Sequence, residues 1–148
     1  MKTIPRLAPQ EIFDSNGTPT CGSVDVNGRS LYVETFGTYG RPAILFLHGG
    51  PGTSCVEQQE MAVLLSERYF VVSFDQYGVY HIEQMEALRG LLRIPKWILL
   101  GHSYGGMLVC YYTYLHPESV LASLYENPGW YFLKNVKTIA KSYLDRYY

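Results

Sequence analysis

The chain has 148 residues, 47% of them hydrophobic and 17% charged, and carries a formal net charge of -1. That length allows a single domain with a sizeable core, and that composition excludes a disordered chain. Twelve basic residues against thirteen acidic ones leave no electrostatic footprint for nucleic acid or an anionic membrane surface, so neither is expected as a partner.

Residues 1–21 mix Pro, Asn, Gly and Thr without periodicity and read as a loose leader. Met1–Asn16 holds no apolar stretch of signal-peptide length. The runs Ser23–Val26 and Ser30–Phe36 flank Asn27-Gly28, a pair able to take the positive φ of a type I′ turn, and predict a β-hairpin. Ala43–Leu47 is a continuous apolar run and predicts a strand buried on both faces. Ser54–Arg68 predicts a helix with Met61, Leu64 and Leu65 on one side, and Phe70–Phe74 a second buried strand. His81–Arg93 repeats Ile82, Met85, Leu88 and Leu92 at three- and four-residue steps, a helical period.

Trp97–Leu100 predicts a third buried strand. Tyr104–Leu115 is apolar almost all round and reads as a helix pressed into the middle of a core. Val120–Tyr125 predicts a fourth buried strand, and Trp130–Tyr148 one more helix or a bent pair. Buried strands alternating with helices imply βαβ units, hence an α/β fold whose parallel sheet is begun by an antiparallel hairpin. Fourteen tyrosines are many for this length, and five of them lie from Tyr125 onward. A tyrosine suits a half-buried surface, which suggests that something apolar docks there.

Cys21, Cys55 and Cys110 are odd in number and scattered, so neither a disulfide framework nor a metal set is expected, and a reducing cytoplasm is the expected compartment. Cys110, in an apolar stretch, is expected to be a buried thiol. Cys55 follows a glycine loop but has no adjacent base in sequence to make it a nucleophile.

Two segments carry the chemistry. Gly101-His102-Ser103-Tyr104-Gly105 matches G-x-S-x-G, in which a serine stands exposed on a tight turn between strand and helix while the glycines leave room for that turn. An idle serine in a glycine-rich turn is the bland alternative. His48-Gly49-Gly50-Pro51-Gly52 follows another buried strand. In a nucleophile-elbow fold this loop gives one oxyanion donor and the residue after the nucleophile gives the other. The donors here would be the backbone N–H groups of Gly50 and Tyr104, with His48 orienting the loop through its ring nitrogens. A phosphate-cradling loop is the alternative, although neither a Walker lysine nor G-x-G-x-x-G is present. No cofactor is called for.

His48–Gly52, Asp75-Gln76-Tyr77-Gly78, Gly101–Gly106 and His116-Pro117-Glu118 together resemble the proline iminopeptidase (prolyl aminopeptidase) family of α/β-hydrolases, from about Gly22 to the end of the chain. The resemblance implies a serine hydrolase that releases an N-terminal residue, preferably proline, from peptides, with Ser103 as nucleophile. It divides the chain into a leader (1–21), the N-terminal part of the hydrolase core (22–128) and the start of a helical cap (129–148). The family usually has arginine where Tyr77 stands and a longer excursion before the next helix; here only two or three residues follow Gly78.

The triad order in this fold is Ser, then Asp or Glu, then His. After Ser103 the only histidine is His116, which thirteen residues of helix would put ~20 Å from the elbow. Asp145 has no histidine after it. His102 points away from the partner position, and His81 opens a helix. The acid and base are therefore expected to be missing from this chain. Glu126, at the end of a parallel strand, is the one candidate contact for a substrate's amino group, against the plainer reading of a loop carboxylate. Three readings stay open: an aminopeptidase, an esterase-type α/β-hydrolase, and a catalytically inactive binding module. Self-association through an open sheet edge is also expected.

Overall fold

The computed structural model describes residues 3–50, 52–76 and 81–129. The cap reading of Trp130–Tyr148, the Tyr77-Gly78 half of one motif, and Pro51 lie outside the described residues. Among those residues, no helix is long and apolar enough to cross a membrane.

Strands β1 (Gly17–Val26) and β2 (Arg29–Gly37) form the expected hairpin. Asn27 and Gly28 take φ of 53° and 75°, the pair of positive values that a two-residue I′ loop requires, and Asp25 Oδ1 accepts the Gly28 N–H at 2.9 Å. Then β3 (Ala43–Leu47), β4 (Phe70–Phe74), β5 (Trp97–His102) and β6 (Val120–Glu126) complete one sheet in the order β1-β2-β4-β3-β5-β6. β1, β2 and β4 pair antiparallel; β4, β3, β5 and β6 pair parallel. Helix α1 (Pro9–Phe13) precedes β1, and α2 (Gln59–Leu65), α3 (His81–Leu91) and α4 (Tyr104–Leu115) lie between the later strands.

The continuous apolar runs are explained by two cores. Leu45, Leu47, Val72 and Phe74 point into the larger one with Met85 and Leu88 of α3 and Val109 and Tyr112 of α4. Ile44, Phe46 and Val71 point the other way, onto Ala62 of α2. A side-chain period of two divides each run between the faces, so every position is buried; Ser73 is the one polar residue among β3 and β4.

Four expectations need correction. The segment read as a loose leader is structured: Leu7 and Ser23 exchange ladder bonds with β1 and with Pro5 at 2.8 Å each, and Ile12 is fully buried. Its helix is too short to show a period; Pro9 opens it, and Glu11 accepts the Ala8 N–H at 2.6 Å. The helix expected over 54–68 is a 3₁₀ turn at Cys55–Gln58 followed by α2. That tighter turn shifts the phase, so Gln58, Ala62 and Leu65 face the sheet while Met61 and Leu64 stand 50% and 65% exposed. α4 buries one stripe, Gly105, Leu108, Val109 and Tyr112, and leaves Tyr111, Tyr114, Leu115 and Cys110 exposed. Tyrosines supply an apolar period without requiring burial. β6 pairs only with β5, so it is an edge, and Leu121, Leu124 and Tyr125 are exposed.

α3 and α4 are fastened through Glu86. Its carboxylate accepts hydrogen bonds from Arg89, at 3.0 Å from Nε, and from the Tyr112 hydroxyl. The Arg89 bonds hold the Glu86 carboxyl at about 2 against its ordinary 4.5; partial burial opposes this, and Tyr112 adds to it. A carboxyl depressed in the folded state stabilises fully above its unfolded pKa and loses that contribution as pH falls through the folded one. Glu86→Gln is therefore expected to flatten the fall in stability between pH 4.5 and about 2, as read by urea unfolding at stepped pH. Leu45→Ala, at the centre of the sheet, is expected to cost ~2–5 kcal/mol, and Leu64→Ala ~0.5 kcal/mol or less. Equal losses in the urea midpoints would show that the outer face of α2 is covered.

Candidate active site

β5 alternates buried and half-buried side chains up to His102, and the chain then turns sharply into α4. At the turn Ser103 has φ 50° and ψ -112°, a region that non-glycine residues adopt only under constraint. Three backbone bonds supply the constraint. Ser103 N–H donates to Glu126 O at 2.9 Å, and Ser103 O accepts from Gly106 N–H and Gly129 N–H at 3.0 Å each.

The flanking glycines are sterically obligatory. A Cβ on Gly101 would lie 2.4 Å from Gly105 O, and one on Gly105 would lie 2.3 Å from Leu47 O. The first turn of α4 thus rests on the last residue of β3. The next residues are His48, Gly49 and Gly50. A Cβ on Gly49 would stand 3.4 Å from Ser103 Cβ and 3.1 Å from His102 Cδ2; one on Gly50 would stand 3.7 Å from Tyr104 Cδ1. The two glycine segments, 53 residues apart at His48 and Gly101, lie against each other.

His48 is buried and both ring nitrogens are engaged. Gln76 N–H donates to Nε2 at 3.1 Å, so Nε2 carries a lone pair and the proton sits on Nδ1. Nδ1 faces Gly49 O and, at 3.1 Å, Thr53 Oγ1; Thr53 Oγ1 also donates to Gly49 O at 2.7 Å. The Gln76 side-chain amide donates to His48 O at 3.0 Å, and Asp75 Oδ1 accepts the Cys55 N–H at 3.0 Å. Asp75-Gln76, at the end of β4, therefore holds the loop that leaves β3. The sequence marked these two as part of a motif without disclosing a role, and Thr53 was missed. The available signal was that both motifs follow buried strands.

The remaining candidates divide. His102 and Glu126 share the elbow, with Nδ1 and Oε2 3.6 Å apart, and Gly52 takes φ 87° in the loop. His116 lies at the far end of α4, stacked on Tyr112 at 5.0 Å and 3.7 Å from Glu118, and is not brought to Ser103. His81 is buried, edge-on to the Tyr104 ring at 5.9 Å, and its Nδ1 has no partner among the described residues. Burial first, then the neighbouring His48, lowers its pKa, so it is uncharged at neutral pH. Cys55 is fully buried; burial first, then the Asp75 carboxylate, pushes its thiol up and keeps it protonated. Among the described residues no group of His, Cys, Asp and Glu could hold a metal ion.

Strand order, strained serine turn and adjoining glycine loop define an α/β-hydrolase fold, and the family of that description matches residues 76–128. Within that class the curated relatives the chain resembles are proline iminopeptidases. It is 31% identical over 110 residues to a proline iminopeptidase of Xylella fastidiosa, covering 64% of this chain and 34% of the relative. With the proline iminopeptidase of Arabidopsis thaliana it is 28% identical over 134 residues, covering 80% and 33%. The chain thus spans about a third of the length of these curated relatives. Among solved structures, a proline iminopeptidase-related protein of Thermus thermophilus superposes with a TM-score of 0.67 at 26% identity, over 74% of this chain and 45% of that one. A Vigna radiata epoxide hydrolase variant gives 0.66 at 26%, over 73% and 38%.

Gly105→Ala should be rejected by the Leu47 carbonyl, at a cost of about 3 kcal/mol or more. Gln76→Ala, which removes the bond to His48 O but keeps the backbone donor, should cost ~1–2 kcal/mol. Its His48 Nδ1–H should still be visible by nitrogen-edited NMR; loss of that tautomer would show that the side-chain amide sets it.

Proposed function

We propose that this chain carries the nucleophile and oxyanion site of a serine hydrolase of proline iminopeptidase type. In this reading Ser103 Oγ attacks the scissile carbonyl, and the N–H groups of Gly50 and Tyr104 receive the oxyanion. The observation that carries it is the pairing of the strained Ser103 turn with a glycine loop in contact with Ser103 and Tyr104. Backbone donors fixed before reaction are worth ~3–4 kcal/mol each to the transition state. Substrates of this reading are peptides with an N-terminal proline or another N-terminal residue, with Glu126 offering a carboxylate to the amino group. An ester substrate would use the same oxyanion donors, and fold alone does not choose between them. The three free cysteines favour a reducing cytoplasm as its compartment.

A base is the missing part. His48 spends Nδ1 on its own loop and Nε2 on the Gln76 N–H, and His116 stands at the wrong end of α4. Nucleophile, base and oxyanion donors act as a unit, so the chain by itself should reach only the ~10³–10⁴-fold over water that an oxyanion site and binding supply. This favours, as a second reading, a binding module that retains the oxyanion loop without turnover.

Reaction with a fluorophosphonate and turnover of a prolyl arylamide, each compared with Ser103→Ala, separate the readings. Slow serine-dependent labelling with turnover well below ~1 per second is expected. Absence of serine-dependent labelling would overturn the nucleophile assignment, and fast turnover would require a base among the residues set aside above. We also propose that the exposed β6 edge supports self-association. Sedimentation over a range of concentration should show mass above the monomer, and a clean monomer throughout would remove that proposal.

A further inference from the structure

At the other end of the sheet, where the parallel strands begin, the turn before β3 and the turn before β5 enclose a groove of about 570 Å³. That volume is in the range of small-molecule sites. Its floor is apolar, with Phe70 and Ile94 buried beneath and Leu121 of the edge strand along one side. Among the described residues its charged lining is of one sign: Arg41, Arg93 and Lys96 border it, and no carboxylate does.

The walls are held in place by their own bonds. Arg89 donates to Ile94 O at 2.6 Å and Pro95 O at 3.0 Å, and Tyr39 OH donates to Leu92 O at 2.9 Å, which ties the two turns together. Arg93 takes φ 51° at the bend, with its guanidinium over the Phe13 ring at 5.8 Å. Arg41 donates to Ser66 O at 3.0 Å and Glu67 O at 2.8 Å. Those acceptors are carbonyls, so they position the guanidinium without cancelling its charge. A groove whose walls are fixed in advance loses little entropy when occupied.

We propose that this groove is a second binding site, distinct from the serine turn, for a free amphipathic carboxylate. The apolar body lies on Phe70, Ile94 and Leu121, and the carboxylate faces Arg41, Arg93 and Lys96. Charge complementarity selects the head group, since three cations with no anion among the described lining residues favour an anion over a neutral or cationic head. The inference rests on the groove alone and stands or falls separately from the catalytic reading.

Titration calorimetry with octanoate, octanol and octyltrimethylammonium tests it. Saturable binding of octanoate is expected, at least about tenfold tighter than octanol, a difference of ~1.4 kcal/mol, with no binding of the cation. The double variant R93Q and K96Q should lose about tenfold in octanoate affinity while Ser103→Ala binds as the parent does. Should the double variant fail to fold, as read by its urea transition, Lys96→Gln alone carries the comparison, because Lys96 is exposed. Equal binding of octanoate and octanol, unaltered affinity in the charge variants, or weakened binding in Ser103→Ala would overturn the proposal. So would a self-associated species that octanoate does not disperse, since the groove would then be filled by a second copy.

Discussion

The approach of Gly105 to the Leu47 carbonyl governs the rest of the candidate site. With no side chain at that point, the first turn of α4 closes onto the end of β3. Ser103 can then adopt its positive φ, with backbone bonds to the ends of the flanking segments, and the loop leaving β3 must pass directly beside it. Any Cβ there would separate the two glycine segments before any question of chemistry arose. The strain at Ser103 is retained because β5, β6 and α4 together determine its position more firmly than its own torsional preference.

A second layer of control comes from the neighbouring strand. β4 is followed by Asp75-Gln76, and these two residues grip the loop beyond β3 at three points: the His48 ring, the His48 carbonyl and the Cys55 amide. The loop's course is fixed by groups on another strand rather than by its own short sequence. That is the usual arrangement for a site that must be formed in advance of its ligand, with mobile backbone immobilised by hydrogen bonds from rigid elements.

Much of this was legible in the sequence where periodicity and glycine placement coincide. Ala43–Leu47, Phe70–Phe74 and Tyr104–Leu115 have the boundaries that their apolar runs announce. The Asn27-Gly28 turn and the serine turn follow from residues able to bear positive φ or close approach. Burial was less legible, for a physical reason: an apolar period states which face could be covered, not what covers it. Met61, Leu64, Tyr114 and Leu121 have the character of core residues and stand exposed among the described residues. The clamp on His48 could not be read at all, since it joins Gln76 to a residue 28 positions earlier through strand pairing that only the fold creates.

The strand order has a consequence for where the serine stands. From β3 the chain passes by way of α2 to β4 on one side, and from β5 by way of α4 to β6 on the other. The two helices cover opposite faces of the sheet. β3 and β5 are adjacent, yet the segments that leave their ends part company at once, one toward each face. That divergence opens a cleft at the reversal of winding, which in open α/β sheets is the place where ligands gather. His48–Gly50 forms one lip of this cleft and Ser103 the other. The same reversal that splits the apolar runs between two cores thus also sets His48–Gly50 and Ser103 on opposite sides of one junction at the sheet's carboxyl edge.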